Sequence, residues 1–441
     1  MSLAMNLCLL LFFAVRVSTG WFVLGLIALV LLTGYFLAGI IGPMPRYEIR
    51  DEDQIPANDT DPFLLLLGSL VDAAMNRTGR LEVLTNGSAF YPAILDAFRS
   101  AQRSINLEAY VFQKGEIARQ YVDVLAERAR AGVQVNLVLD AFGSMGAPQR
   151  FFRPLLQAGG RVVRYNRLTW YHMLRMDSRT HRELVIVDGK LGFIGGAGVA
   201  DQWFTGVHAR PRWRDTMIRI EGEAVANLQA TFSENWLQAA GELLVGSAYF
   251  PDIQCPDALT SLVINSTPTV GGSTRARILM QLLIASAKRR IAITTPYFLP
   301  DRTLMRELCR ALERGATVQI LVPGMKSDHL LTRSTSRGAY GALLKAGAEV
   351  YEYQPSMIHA KVLVVDELWA VVGSTNFDNR SFGINDEVNL AIRDRAVAQR
   401  LSADFTADLA QSQRITLEDW RHRPVTERAT ELLGWTIERQ Q

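Results

Sequence analysis

The chain has 441 residues, 49% of them apolar and 21% charged, with a net charge of +3 at neutral pH. That length exceeds one ordinary hydrophobic core, so two domains of similar size are expected. The charge is too small for the electrostatic footprint of a nucleic-acid binder. Cys8, Cys255 and Cys309 show no C-x-x-C spacing, which argues against a disulfide framework and against zinc. They read as small buried apolar side chains in a reducing compartment.

From Trp21 to Ile41 the sequence carries no charge and no polar stripe. As a helix rising about 1.5 Å per residue it spans about 30 Å, the hydrocarbon thickness of a bilayer. A signal peptide fits poorly, because Arg16 is the only basic residue upstream and no small-x-small cleavage site follows Ile41. An uncleaved transmembrane helix is expected. The shorter apolar run Leu3 to Val15 makes either a second helix of a hairpin or an interfacial lead-in, so residues 1–43 form an anchor of one or two helices. In both cases Arg46 and Arg50 outweigh Arg16 and place the large remainder on the cytoplasmic side of the membrane. Residues 44–61, polar and punctuated by Pro45 and Pro56, read as a linker.

The remainder repeats itself. AILDAFRSAQRSINLEAYVF, YVDVLAERARAG and VQVNLVLD alternate helix and strand signals, and so do ILMQLLIASAKRRIAITTPYF, LMRELCRALERGA and TVQILVP. The pattern predicts an α/β fold: two tandem domains of mostly parallel sheets covered by helices, at 62–245 and 258–410, with a helical tail at 411–441. Both halves then reach a histidine, an apolar strand, an aspartate and a glycine turn. HRELVIVDGKLGFIGG runs from His181 through Asp188 to Gly195 and Gly196. HAKVLVVDELWAVVGS runs from His359 through Asp366 to Gly373 and Ser374.

On a strand, residues i and i+2 share a face, so His359 and Lys361 point together, with Ser374 and Asn376 on the following turn. An imidazole, an ammonium and small donors around one point suit a phosphate diester: the cation and donors hold its oxygens while the histidine attacks or protonates.

The second segment resembles the HxKxxxxD motif of the phospholipase D superfamily, with its Gly-Ser-x-Asn element. NFDNRSFGINDEVNL and KSDHLLTRSTSRGAYGALLKAGAEVYEY resemble its bacterial cardiolipin synthase branch, over roughly residues 62–441. The resemblance implies two phospholipase D-like domains meeting at one site and a two-step phosphatidyl transfer with no metal or other cofactor. Phospholipid, with phosphatidylglycerol foremost, is the implied substrate, and the bacterial inner membrane the implied location. It assigns His181 as nucleophile, His359 as general acid and then base, and Lys361, Asp188 and Asp366 as their motif companions. Ser374, Asn376, Gly195, Gly196 and Gly373 fall at phosphate-binding positions, and Asp215 in WRDT and Glu387 in NDEVNL at the places that orient the histidines.

The first motif departs from the pattern. Position 183, where the family carries lysine, is Glu183, and position 198, matching Asn376, is Gly198. Arg182 should face away, and Arg179 is on the better face but at or beyond the strand's end. Either Lys361 carries the phosphate alone and Glu183 tunes the network, or the protein is an impaired, lipid-binding relative. A phospholipase or a synthase with another acceptor would use the same residues, and a superfamily nuclease is disfavoured by the anchor and the modest charge. The apolar stretch LTWYHMLR at 168–175 is either a bilayer-dipping loop or packing over the core; His172 in it, His329 and His422 have no catalytic or metal spacing. Trp203, Phe204, His208 and Trp213 read as domain packing or a lipid-channel wall.

Overall fold

A computed structural model describes residues 19–34, 47–167, 178–207, 211–253, 255, 259–268, 274–328, 330–424, 427 and 431. Helix α1 covers 19–34. After it come α2 (Asp61–Leu70), β1 (Met75–Thr85), α3 (Gly87–Ser100), β2 (Ser104–Ala109), α4 (Glu116–Arg130), β3 (Gln134–Asp140), α5 (Arg153–Gln157) and β4 (Arg161–Tyr165). The first half closes with β5 (Leu184–Val187), β6 (Leu191–Gly195), α6 (Asp201–Phe204), β7 (Thr216–Gly222) and α7 (Ala224–Ala240). The second half repeats the plan with β8 (Leu259–Ser266), α8 (Arg275–Ser286), β9 (Arg290–Thr294), α9 (Arg302–Glu313), β10 (Thr317–Pro323), α10 (Leu330–Ala346) and β11 (Glu349–Tyr353). It ends with β12 (Val362–Val365), β13 (Trp369–Gly373), α11 (Asn379–Gly383), β14 (Glu387–Arg393), α12 (Arg395–Leu409), β15 (Ser412–Ile415) and α13 (Leu417–Arg421).

The strands join into one sheet in the order β15-β11-β10-β9-β12-β13-β14-β8-β1-β7-β6-β5-β2-β3-β4. Read outward from the central β1–β8 pair, the first seven strands of each half follow the same order, a pseudo-twofold repeat to which the second half adds β15. Two expectations are corrected here. The halves share one continuous sheet, and only β2-β3-β4 and β9-β10-β11 are parallel, every other named pairing being antiparallel. The helix–strand alternation that signals parallel pairing covers only those triplets. The motif strands instead turn back directly as hairpins.

Local chemistry explains the elements. α4 buries Ile117, Tyr121, Val122 and Leu125 at helical spacing against the sheet. α9 is capped by Asp301, whose carboxylate accepts from Thr303 N at 2.7 Å and Leu304 N at 3.0 Å. One apolar core belongs to each half, and a third unites them: α7 and α12 bring Phe232, Trp236, Leu401 and Phe405 onto Ile186 and Ile218 of one half and Val364 and Ala370 of the other.

The stretch expected as a linker is a strap on the second half. Gln281 donates to Tyr47 O at 2.7 Å, Arg277 lies 3.9 Å over the Tyr47 ring, and Arg306 and Arg310 pair with Glu48 and Glu52 at 3.0 and 2.9 Å. Asn58 donates to Asp366 at 2.8 Å, while Trp369 donates to Asn58 O at 2.7 Å. α2 then buries Phe63, Leu64 and Leu67 in the second half's core, so the first half begins near β1 rather than at residue 62. The expected helical tail opens instead with β15, an edge strand antiparallel to β11.

The motif aspartates end β5 and β12 in tight turns, with φ of 53° at Asp188 and 54° at Asp366, a left-handed conformation that aspartate tolerates. Each carboxylate collects backbone amides of the chain entering the neighbouring strand: Gln102, Arg103 and Ser104 for Asp188, Lys288, Arg289 and Arg290 for Asp366. Burial alone would raise the Asp366 pKa, but these amides and Asn58 hold it below its ordinary value. Asp366→Ala is therefore expected to cost about 2–4 kcal/mol, since several charge-assisted bonds from partly buried donors are lost together. A carboxylate with a lowered folded pKa stabilises above its unfolded value and loses that contribution as pH falls. The wild-type advantage in thermal unfolding should thus shrink below about pH 4, and an unchanged melting temperature at pH 7 would contradict this role.

Candidate active site

The heads of the two motif strands meet where the halves exchange backbone. Thr180 bridges Asp386, and His181 N donates to Asp386 O at 2.9 Å; Arg214 bridges Ile358, and His359 N donates to Arg214 O at 2.7 Å. The exchange continues in the side chains. His359 Nδ1 lies 2.9 Å from Asp215 Oδ2, and His181 Nδ1 lies 3.1 Å from Glu387 Oε1, so each half supplies the carboxylate that holds the other half's imidazole. The Arg214 guanidinium reinforces the junction by pairing with Asp408 on α12 at 2.8 Å.

The partners fix the tautomers. His181 Nδ1 also lies 3.0 Å from Ser374 O, so both of its neighbours are acceptors and the nitrogen carries the proton. Nε2 is left with a lone pair when the ring is neutral, the state a nucleophile needs. The ring packs edge-on against Tyr110, with centroids 5.2 Å apart. Asp215 keeps a lowered pKa: burial opposes ionisation, but the His359 contact, the Lys361 charge and Thr216 N outweigh it. Trp203 Nε1 donates to the same carboxylate at 3.0 Å, and Trp203 and Trp213 flank the His359 ring.

Lys361 is buried and sits 2.8 and 3.0 Å from the two ring nitrogens of His359. An ammonium that close to both cannot lie in the ring plane without striking the carbon between them, so it rests over the ring face and acts as a charge. Burial and this charge push the His359 pKa down, against the pull of Asp215. Burial also lowers Lys361 itself, while Asp215, Glu387, Glu183 and Asp328 support its charge.

Ser374 does not present a free hydroxyl: its Oγ donates to Glu387 and accepts from Val388 N at 3.1 Å, so it positions the carboxylate behind His181. Asn376 is buried with an Oδ1 that has no hydrogen-bond partner. Gly195 and Gly373 permit close strand packing, since a Cβ would lie 2.5 Å from Thr216 O and 2.3 Å from Val388 O respectively. Gly196 adjoins the site, where a Cβ would come within 2.9 Å of both Asp215 Oδ1 and Lys361 Cδ. Asp188 and Asp366 lie away from the imidazoles. Seven residues of near-extended chain, about 3.3 Å each, put them at the opposite sheet edge, a correction to their expected place in the catalytic group.

The two departures of the first motif are neighbours in space. Glu183 is buried, and its Oε1 accepts from Tyr110 N at 3.1 Å and Val111 N at 3.2 Å. Burial holds its pKa well above the ordinary value, opposed by those amides and by Lys361. A Cβ on Gly198 would lie 2.4 Å from Val111 O and 3.0 Å from Glu183 Oε1, so the Val111 backbone excludes a side chain there and the glutamate adds to the crowding. A cavity of about 10 Å³, lined in part by Glu183, Glu108, Tyr91 and Tyr121, adjoins the carboxyl.

Arg182 turns away, as the strand alternation requires, donating to Thr231 O on α7 and to Glu234. Arg179 is buried beside Asp140 at 3.5 Å. His422 is exposed and its Nδ1 contacts Glu418 O. The stretch 168–175, His208 and His329 lie outside the described residues. Sequence reasoning missed Tyr110, Tyr297 and Glu108. The two tyrosines hold equivalent places in EAYVF and TPYFL, which alignment of the repeats would have exposed. Glu108, which burial pushes up to about 7, accepts from the Thr180 hydroxyl next to His181. Among the described residues, no cluster of three or more His, Cys, Asp or Glu could hold a metal ion.

A family model described as "Cardiolipin synthase, PLD-like domain" matches residues 94–236 and 280–409, one match per half. A probable cardiolipin synthase of Bacillus subtilis, YwiE, is 34% identical over 359 residues, covering 81% of this chain and 71% of that protein. The major cardiolipin synthase ClsA of the same organism is 35% identical over 368 residues, covering 82% and 75%. Cardiolipin synthase A of Pseudomonas entomophila is 32% identical over 380 residues, covering 84% and 77%. Among solved structures, phosphatidylserine synthase of Haemophilus influenzae superposes with a TM-score of 0.66 at 14% identity, covering 84% of this chain and 96% of that one, a likeness of fold.

The opposing influences on His359 are separable by imidazole NMR titration. Lys361→Met removes a positive charge and should raise the His359 pKa, whereas Asp215→Asn removes a negative one and should lower it. Shifts of the same sign in both variants would contradict the geometry.

Proposed function

The chain belongs to the cardiolipin synthase, phospholipase D-like family, and on that premise we propose that it transfers a phosphatidyl group from one phosphatidylglycerol to another, releasing glycerol. The observation that carries this reading is the pair of imidazoles, each held through Nδ1 by an acceptor of the opposite half, which leaves two Nε2 atoms for one substrate phosphorus.

In the first step His181 Nε2 bonds to phosphorus, the bond to the glycerol oxygen breaks, and His359 gives that oxygen a proton. In the second, neutral His359 takes the proton from a hydroxyl of the incoming lipid, whose oxygen displaces His181 to form cardiolipin. The phosphodiester's negative charge meets Lys361 and offsets the ammonium that otherwise suppresses His359 protonation. Glu183 stands where a second lysine would bring another cation. Burial disfavours its charged form, and Lys361 is left as the phosphate's cationic partner.

The same reading takes the apolar run through Ile41 as a membrane anchor. α1 is exposed at every position, including Trp21, Phe22 and Leu31, which suits lipid surroundings. Among the described residues no helix is long and apolar enough to cross a membrane, and 35–41 lie outside them. The apolar run supports a membrane anchor, Arg46 and Arg50 support a cytoplasmic catalytic body, and the family relationship suggests the bacterial inner membrane.

Purified protein in phosphatidylglycerol vesicles should yield cardiolipin and glycerol in equal amounts. Phosphatidic acid would instead mark a hydrolase, and lipid binding without turnover a non-catalytic relative. Glu183→Lys should lower wild-type turnover by roughly tenfold or more, because a second buried ammonium repels Lys361 and about 1.4 kcal/mol suffices for tenfold in rate. An inactive wild type restored by that lysine would overturn the proposal.

A further inference from the structure

We propose that the sheet edge bearing the histidines docks on the phospholipid bilayer through the loops that follow β3 and β10. This rests on the phosphatidyltransferase reading and adds which surface receives the lipid. The two loops are equivalents under the pseudo-twofold, and both expose apolar side chains to solvent: Phe142 is 52% exposed, Met145 59% and Met325 67%. Exposed cations accompany them, Arg150 beyond the first loop and Lys326 within the second. Apolar tips with adjacent basic side chains suit an interface between hydrocarbon and anionic headgroups.

Both loops border the reacting groups. In the first, Gly143 packs so tightly on Tyr110 that a Cβ would lie 2.4 Å from Tyr110 O, and the Tyr110 ring rests against His181. Asp140 ties the loop to the motif head, accepting from Phe142 N at 2.8 Å and from Thr180 N at 3.2 Å. In the second, Lys326 donates to Pro355 O at 2.8 Å, and Tyr297 donates to Asp328, whose charge supports both Lys361 and His359. The rim therefore has an apolar tip on each side of the imidazole pair.

The strap gives an independent indication. It starts at this edge, where Tyr47 and Glu48 meet Arg277 and Arg306 in the N-terminal parts of α8 and α9, and reaches the opposite edge only at Asn58 beside Asp366. The apolar α1 thus precedes a segment that enters the body from the catalytic side. Anchor and loop tips address the same surface, and a lipid head group could reach His181 without leaving it.

Because an anchored chain stays with the membrane whatever its loops do, the test reads contact rather than binding. The full chain, with Cys8, Cys255 and Cys309 replaced by serine, is labelled through Met145→Cys, Met325→Cys or Val245→Cys with an environment-sensitive dye in phosphatidylglycerol vesicles. Val245, 68% exposed, is the control, near Ser247, which accepts from Arg103 at the Asp188 edge. Quenching by spin-labelled acyl chains is expected at 145 and 325 and not at 245. Equal quenching at all three, or none at 145 and 325, overturns the proposal. A triple variant, Phe142→Glu, Met145→Glu and Met325→Glu, should lose roughly tenfold or more turnover on vesicles and change less than about twofold on a monomeric short-chain phosphatidylglycerol. Equal losses on both substrates also overturn it. A wild type that turns over neither substrate counts against the transferase reading, while the quenching pattern still decides the docking face.

Discussion

Two ionisable clusters are buried where the halves meet, and neither half can satisfy its own. Asp215 without His359, or Glu387 without His181, would be a carboxylate almost wholly removed from water with its principal partner gone, a state that costs several kcal/mol. The crosswise exchange of carboxylate and imidazole therefore couples catalysis to assembly. It also accounts for the continuous sheet, for the shared core under α7 and α12, and for the Arg214–Asp408 pair across the junction. A gene duplication that kept each half self-contained would have had no need of these features.

Symmetry of scaffold does not extend to symmetry of charge. The second half offers Lys361 over its histidine, while the first offers a glutamate turned onto two backbone amides. Glu183 and Gly198 adjoin each other, and both pack on Val111, so the asymmetry is a packed local arrangement. Its chemical effect is to distinguish the imidazoles. Both imidazoles have a carboxylate at Nδ1 and aromatic neighbours, and the close ammonium over His359 is what sets the two apart.

Much of this was legible in the sequence. The duplication and the pairing of His181 with His359 lie in short motifs whose spacing survives in the linear text, whereas Asp215 and Glu387 stand out only through the family resemblance. The direction of Arg182 followed from strand alternation alone. What escaped depends on partners distant in sequence. Nothing local to Asp366 says that its carboxylate will gather amides from residues 288–290, and nothing local to 47–60 says that a polar, proline-marked stretch will strap onto α8 and α9. The antiparallel majority of the sheet was hidden because hairpin strands buried on both faces read as the same apolar runs that mark parallel ones.

In the proposed reaction the two histidines divide the labour, with His181 forming the bond to phosphorus. Wild-type protein mixed rapidly with phosphatidylglycerol, quenched in alkali, digested and analysed by mass spectrometry should carry the phosphatidyl adduct on the peptide containing His181. An adduct on His359 instead, or product formation with neither histidine modified, would contradict that assignment.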